Sequence, residues 1–96
     1  MGNYIILSSW TDQGIRKVKD SPKRLKSARI LAKKMGCKLK DFYMTIGDHD
    51  MVVLAEAPND EAMAKLILAI TATGNIRTTT LKAFSEADYK KIVGGI

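Results

Sequence analysis

This chain is short of nearly every residue type around which a reactive or metal-binding centre is commonly built. It has one cysteine, Cys37, and one histidine, His49, in 96 residues. A single thiol excludes an internal disulfide and offers no partner at metal-ligand spacing, so Cys37 reads as a small packing residue at a strand start. With no second histidine, a metal site is not expected, and no cofactor is implied. Aromatic residues are few, and none is interleaved among the basic residues as a stacking platform for nucleic acid would be. The apolar run Leu66 to Ile70 is far too short to span a bilayer. The chain opens directly into Tyr4-Ile5-Ile6-Leu7, without a basic region, long apolar stretch and small-residue cleavage site. No secretory signal is therefore expected, and the cytoplasm is the default compartment.

What is present is an ordinary globular composition with an uneven charge. Ninety-six residues make one domain, 1–96, and at that length only about 60 to 65% of the unfolded chain's surface is buried on folding. The formal charge is +6, and the segment from Arg16 to Lys40 carries most of the basic residues, opposed only by Asp20. Such a cluster is either the footprint of a polyanion or a solvated face that keeps the protein dispersed. Without aromatic platforms or a docking motif, nucleic acid is not the expected partner.

The order of elements is legible. Tyr4 to Ser9 reads as a strand and is bounded by the turn cluster Thr11-Asp12-Gln13-Gly14, whose glycine can take positive φ. A short loop or helical turn, Ile15 to Asp20, follows. Ser21-Pro22 predicts a helix start with serine as N-cap and proline at the first helical position. Leu25, Ala28, Leu31, Ala32 and Met35 recur at helical spacing as a buried stripe that ends at Gly36. Two apolar runs, Lys38 to Ile46 and Met51 to Ala57, flank the four residues Gly47-Asp48-His49-Asp50 and predict an antiparallel hairpin. Asn59 caps a helix that ends at Gly74, with Asp60 and Glu61 in its first turn where the helix dipole favours acids. A strand from Asn75 to Phe84 precedes Ser85-Glu86-Ala87-Asp88, the cap of a short terminal helix bearing Tyr89, Ile92 and Val93.

Strand, helix, strand, strand, helix, strand is the ferredoxin-like βαββαβ order, an α+β fold with a four-stranded antiparallel sheet. Strands one and three are then central, and Ile5-Ile6-Leu7 and Met51-Val52-Val53-Leu54 are apolar toward both faces. Two helices cover only one face of such a sheet. A second copy, packed sheet against sheet into a dimeric α/β barrel, is the economical cover for the other. Met63, Leu66, Ile67, Leu68 and Ile70 spread beyond one narrow stripe and also favour oligomerisation.

Several separated blocks are similar to one family. Tyr43-Met44-Thr45-Ile46-Gly47-Asp48-His49-Asp50-Met51-Val52-Val53, Glu56-Ala57-Pro58-Asn59-Asp60-Glu61 and Gly74-Asn75-Ile76-Arg77-Thr78-Thr79-Thr80-Leu81 resemble the GYD domain family. Thr11-Asp12-Gln13-Gly14-Ile15 and Asp20-Ser21-Pro22 do so as well. The resemblance covers nearly the whole chain and implies a small dimeric α/β-barrel protein of ferredoxin-like topology, with no established biochemical role. The family's Gly-x-Tyr-Asp stands here as Gly47-Asp48-His49-Asp50, so a role resting on a tyrosyl hydroxyl does not transfer. Histidine keeps a flat ring and a polar atom, but adds a titration near neutrality.

Two sets of side chains are candidates for a site. In the first, His49 held by Asp48 or Asp50 is a general base or polar anchor at a pocket mouth, with His49 and Asp50 as the catalytic pair. The competing reading is a structural turn, in which Gly47 supplies positive φ and the aspartates bond nearby backbone N–H groups. In the second, Tyr4, Trp10, Tyr43 and Arg77 project with Asp48 into a cavity between two packed sheets and hold a small anionic or aromatic ligand. The alternative is that these aromatics fill the dimer interface and Arg77 pairs with an acid there. Gly14, Gly47 and Gly74 are taken as turn residues, and the threonines Thr78 to Thr80 as β-formers. The expected function is small-molecule binding or oligomer formation. The alternatives are a cofactor-poor oxygenase or isomerase with His49 as base, and a polyanion binder using the Arg16 to Lys40 cluster.

Overall fold

A computed structural model describes all residues, 1–96. Its elements are β1 (Gly2–Trp10), α1 (Asp12–Arg16), a 3-10 turn (Val18–Asp20), α2 (Ser21–Lys34), β2 (Lys38–Met44), β3 (Met51–Ala57), α3 (Asp60–Thr71), β4 (Ile76–Ala83) and α4 (Glu86–Gly94). The strands form one antiparallel sheet in the order β2-β3-β1-β4, the ferredoxin-like arrangement, with β1 and β3 central as their two-faced apolar patterns require.

Strand alternation sorts the side chains. On β1, Tyr4, Ile6 and Ser8 are buried beneath the helices, and on β3 so are Met51, Val53, Ala55 and Ala57. Of these, Tyr4, Ile6, Val53, Ala55 and Ala57 join Ala32 of α2 and Met63 and Leu66 of α3 in the core, with Leu31, Phe42, Ile67 and Ile70 packed around them. The opposite parity, Ile5 and Leu7 of β1 with Val52 and Leu54 of β3, lies on the other face. Pairing places Leu81 and Arg77 of β4 and Tyr43 of β2 on that same face. No helix of the chain covers it.

The caps of α3 and α4 follow the sequence: Asn59 Oδ1 accepts from the Ala62 N–H and Ser85 Oγ from the Asp88 N–H. Three local expectations differ. Ser21 is the first residue of α2 rather than its cap, because the 3-10 turn runs straight into the helix and leaves Asp20 at the cap with no side-chain bond. The hairpin connection is six residues, since β2 ends at Met44 and Ile46 is 99% exposed. Gly14 is not a positive-φ turn residue; it lies inside α1, where a Cβ would stand 1.9 Å from the Asn75 carbonyl oxygen. Gly47 and Gly74 do take positive φ, 136° and 82°.

The accessible surface is 6729 Å² for a mass of 10.6 kDa. A compact monomer of that mass exposes about 5,500 Å², so the excess is roughly 1,200 Å². The radius of gyration, 14.3 Å, likewise exceeds the ~12.5 Å of a compact domain this long. Both excesses have visible sources, the open sheet face and α4, every residue of which is exposed, including Tyr89, Ile92 and Val93.

Candidate functional site

The connection Thr45–Asp50 is stitched at both ends. The Thr45 N–H donates to the Asp50 carbonyl at 2.8 Å, the Thr45 hydroxyl to the His49 carbonyl at 2.5 Å, and the Asp50 N–H to the Ser8 carbonyl at 2.9 Å. The Asp50 carboxylate accepts the Trp10 backbone N–H at 3.0 Å. That bond ties Asp50 to the end of β1, and no hydrogen bond joins its carboxylate to the His49 ring. Asp48 is exposed and His49 half-buried. Together with Arg77, Leu7, Ser9 and Thr79 they line a shallow concavity at the margin of the open sheet face.

The four residues expected to share a cavity between sheets do not share a face. Tyr43 and Arg77 lie on the open side, whereas Tyr4 and Trp10 have the parity of Ile6 and lie under the helices. Tyr4 is 4% exposed, and its hydroxyl donates to Asp60 Oδ1 at 2.5 Å, where Lys82 Nζ also donates at 2.8 Å. The bond to Asp60, then burial, push the Tyr4 phenol up, while the bond from Lys82, then that from Tyr4, holds the Asp60 carboxyl below its usual range. The Lys82 ammonium is raised in turn by Asp60. Asp60 and Lys82 escaped the sequence reading. The first-turn acid was visible, but its partners are 56 and 22 residues away.

Trp10 borders a partly open cavity of about 200 Å³ between the sheet and helices α2 and α3. Ile6, Leu31, Phe42, Val53, Ile67 and Ile70 are among its apolar walls, and Ser8, Arg24 and Thr78 among its polar lining. The Trp10 indole nitrogen is buried and has no hydrogen-bond partner. Leaving a buried donor unpaired costs about 1–3 kcal/mol. Arg24 reaches back to α1 and the residue after it, donating to the carbonyls of Gly14 at 3.2 Å and Lys17 at 2.8 Å. The remaining basic residues of Arg16 to Lys40 are exposed on α1, at Lys17 and the 3-10 turn that follow it, on α2 and on the β2 edge. Cys37 is buried, which pushes its thiol up. No group of three His, Cys, Asp or Glu side chains converges anywhere in the chain, and no helix is long and apolar enough to cross a membrane.

Topology, helix coverage and strand register together define a ferredoxin-like α+β domain. The chain belongs to the GYD domain family, whose pattern matches residues 4–93. It is 30% identical over 89 residues to a Thermus thermophilus protein named glutamine synthetase and cystathionine beta-lyase binding protein, covering 92% of this chain and 94% of that one. Among solved structures it is similar to a feast or famine regulatory protein of M. tuberculosis complexed with L-methionine. That likeness has 20% identity and a TM-score of 0.68 over 88% of this chain, which spans only 51% of the regulator. A hypothetical protein of Pyrococcus horikoshii aligns with 23% identity and a TM-score of 0.60, over 90% of this chain and 93% of its own. At these identities the structural likenesses speak for the fold.

Proposed function

We propose that this chain is a binding protein, not a dedicated catalyst, and that it works as a homodimer or larger homo-oligomer in which two copies pack their open sheet faces together. The observation that carries this reading is the uncovered apolar face, formed by Ile5, Leu7, Val52, Leu54 and Leu81. The surface excess of roughly 1,200 Å² is of the size one partner contributes to a stable interface, about 800 Å². The exposed residues Tyr89, Ile92 and Val93 of α4 add apolar area that finds no ground in their own chain. Two further points favour binding over catalysis. The relative from Thermus thermophilus is named for binding two enzymes, and here the Asp50 carboxylate accepts the Trp10 backbone N–H and makes no hydrogen bond to the His49 ring. Once sheets pack, Asp48, His49 and Arg77 rim the interface and form the seat for a small polar ligand or for a partner protein's side chains.

Sedimentation velocity across micromolar concentrations tests the assembly. The expected result is a dimer or larger species for the native chain, and a shift toward monomer when Leu54→Lys places a charge at the centre of the face. A native chain that sediments as a monomer, or a lysine variant of unchanged size and fold, overturns the reading.

A further inference from the structure

The helical side of the molecule carries a knob and a hole that the chain leaves unmatched. The hole is the cleft between α2 and α3, about 200 Å³ and partly open, with the exposed residues Ser27, Ala69 and Thr73 in its lining. Most of its wall is aliphatic or aromatic, and its volume exceeds the roughly 150 Å³ of an apolar cavity that takes up benzene, so one aromatic side chain fits. The knob is α4. Tyr89, Ile92 and Val93 share one face of it, Ile96 continues the row just past its end, and all four are exposed. Spacing of three, four and seven residues is how a helix presents apolar anchors to a groove.

The helix α4 does not reach the cleft of its own chain. Strand β4 delivers it where Ala83 pairs with Asn3, whereas Trp10, Met51 and Ile76 set the cleft toward the other end of the sheet. The first turn of α3 occupies the near end, fixed there by the bonds of Asp60 to Tyr4 and Lys82. The cleft lies on the side of the sheet opposite to the apolar face assigned to self-association, so both clefts of a sheet-packed pair stay open. Of the surface excess of roughly 1,200 Å², that face accounts for about 800 Å², which leaves roughly 400 Å² for a second contact.

We propose that α4 of one copy docks in the α2–α3 cleft of another, with Tyr89 entering the cavity and Ile92, Val93 and Ile96 covering its rim, and that this contact joins sheet-packed pairs into larger assemblies. The second part rests on the sheet packing; the first does not. The contact sets one patch against a different patch on the next copy, so it is heterologous and continues from copy to copy.

Sedimentation velocity tests the contact by complementation. The native chain is expected to grow beyond its dilute species as concentration rises toward about 500 µM, with mean mass increasing about twofold or more, since a contact of this area lies at the weak end of specific interfaces. Tyr89→Lys spoils the knob and Ala69→Lys the hole, and both positions are exposed, so native circular dichroism is expected of each. Ile92→Lys and Ser27→Lys stand in should either fail to fold. Each variant alone should stay at the dilute species, whereas an equimolar mixture offers an intact cleft to an intact α4 and should regain a heavier complex. Trp10 lines the cleft and is the chain's only tryptophan, so its emission should change in the mixture and in neither variant alone. Leu54→Lys separates the two contacts: it should break the sheet-packed pair and still associate at high concentration in a manner abolished by adding Tyr89→Lys. A native chain that does not grow, either variant growing alone as the native chain does, or a mixture no heavier than its parts overturns the assignment.

Discussion

Replacing Gly14 with alanine should be severely destabilising even though it puts a better helix former into a helix. The added Cβ would lie 1.9 Å from the Asn75 carbonyl oxygen and 2.8 Å from its carbon, both backbone atoms that no rotamer can move aside. A tolerated carbon–oxygen contact is about 3.3–3.6 Å, so α1 and the Gly74-Asn75 segment must separate by roughly 1.5 Å. That separation strains the bonds joining them: Thr11 N–H to the Asn75 carbonyl at 3.0 Å, Thr11 hydroxyl to the Gly74 carbonyl at 2.6 Å, and Gln13 Nε2 to Asn75 Oδ1 at 3.0 Å. Losing two of them costs about 1 kcal/mol each and the residual overpacking about 1–3, against a helix-propensity gain of about 1, for a net loss of about 2–4 kcal/mol. For a domain of this length the melting temperature should fall by roughly 10–30 °C, read by calorimetry at fixed protein concentration. Gly94→Ala is the control, since nothing stands within 4 Å of its Cβ and its φ is not positive. A Gly14→Ala midpoint within about 3 °C of the native value would refute the steric account.

Leu66→Ala should cost about 2–5 kcal/mol, measured from the denaturant midpoint, because Leu66 is fully buried on α3; a loss below about 1 kcal/mol would mean the core closes around the gap. The cluster of Tyr4, Asp60 and Lys82 should give stability two pH limits. The depressed Asp60 carboxyl contributes stability that is present above the unfolded carboxyl's value of about 3.9 and is lost as pH falls through the lower folded one, so Asp60→Asn should flatten the acid limb of the melting curve. The raised Tyr4 phenol contributes stability present below about pH 10 and lost as pH rises through its folded value. Tyr4→Phe should therefore remove that part of the alkaline decline, and limbs unchanged in these variants would exclude the cluster as their source.

The fold was largely legible because each element carries its own local signals. Asn59 and Ser85 cap as their side chains dictate, and the two-faced apolar strands Ile5-Ile6-Leu7 and Met51-Val52-Val53-Leu54 do occupy the centre of the sheet. The site was much less so. Alternation alone separates Tyr4 and Trp10 from Ile5 and Leu7. Whether Arg77 joins them depends on its pairing with Ser9, a register set by contacts between strands far apart in sequence. Gly14 was visible as a glycine, but its reason is the backbone of Asn75, 61 residues on, and no local pattern reports such a crossing. In the sequence the Asp50 carboxylate is open to an imidazole or to a backbone amide, and its bond to the Trp10 N–H depends on β1 lying beside the hairpin, which no local pattern reports.

Helix α4 has nine residues and no buried side chain. Helices shorter than about 12–15 residues are marginal in water on their own, because nucleation costs more than a few hydrogen bonds return. In the proposed assembly the neighbour that steadies α4 would be another copy. Coiling of the last turns and association would then be one equilibrium, and dilution would unravel the C-terminal segment before it disturbed the sheet. In such an assembly the helical content of this chain would be a property of its concentration.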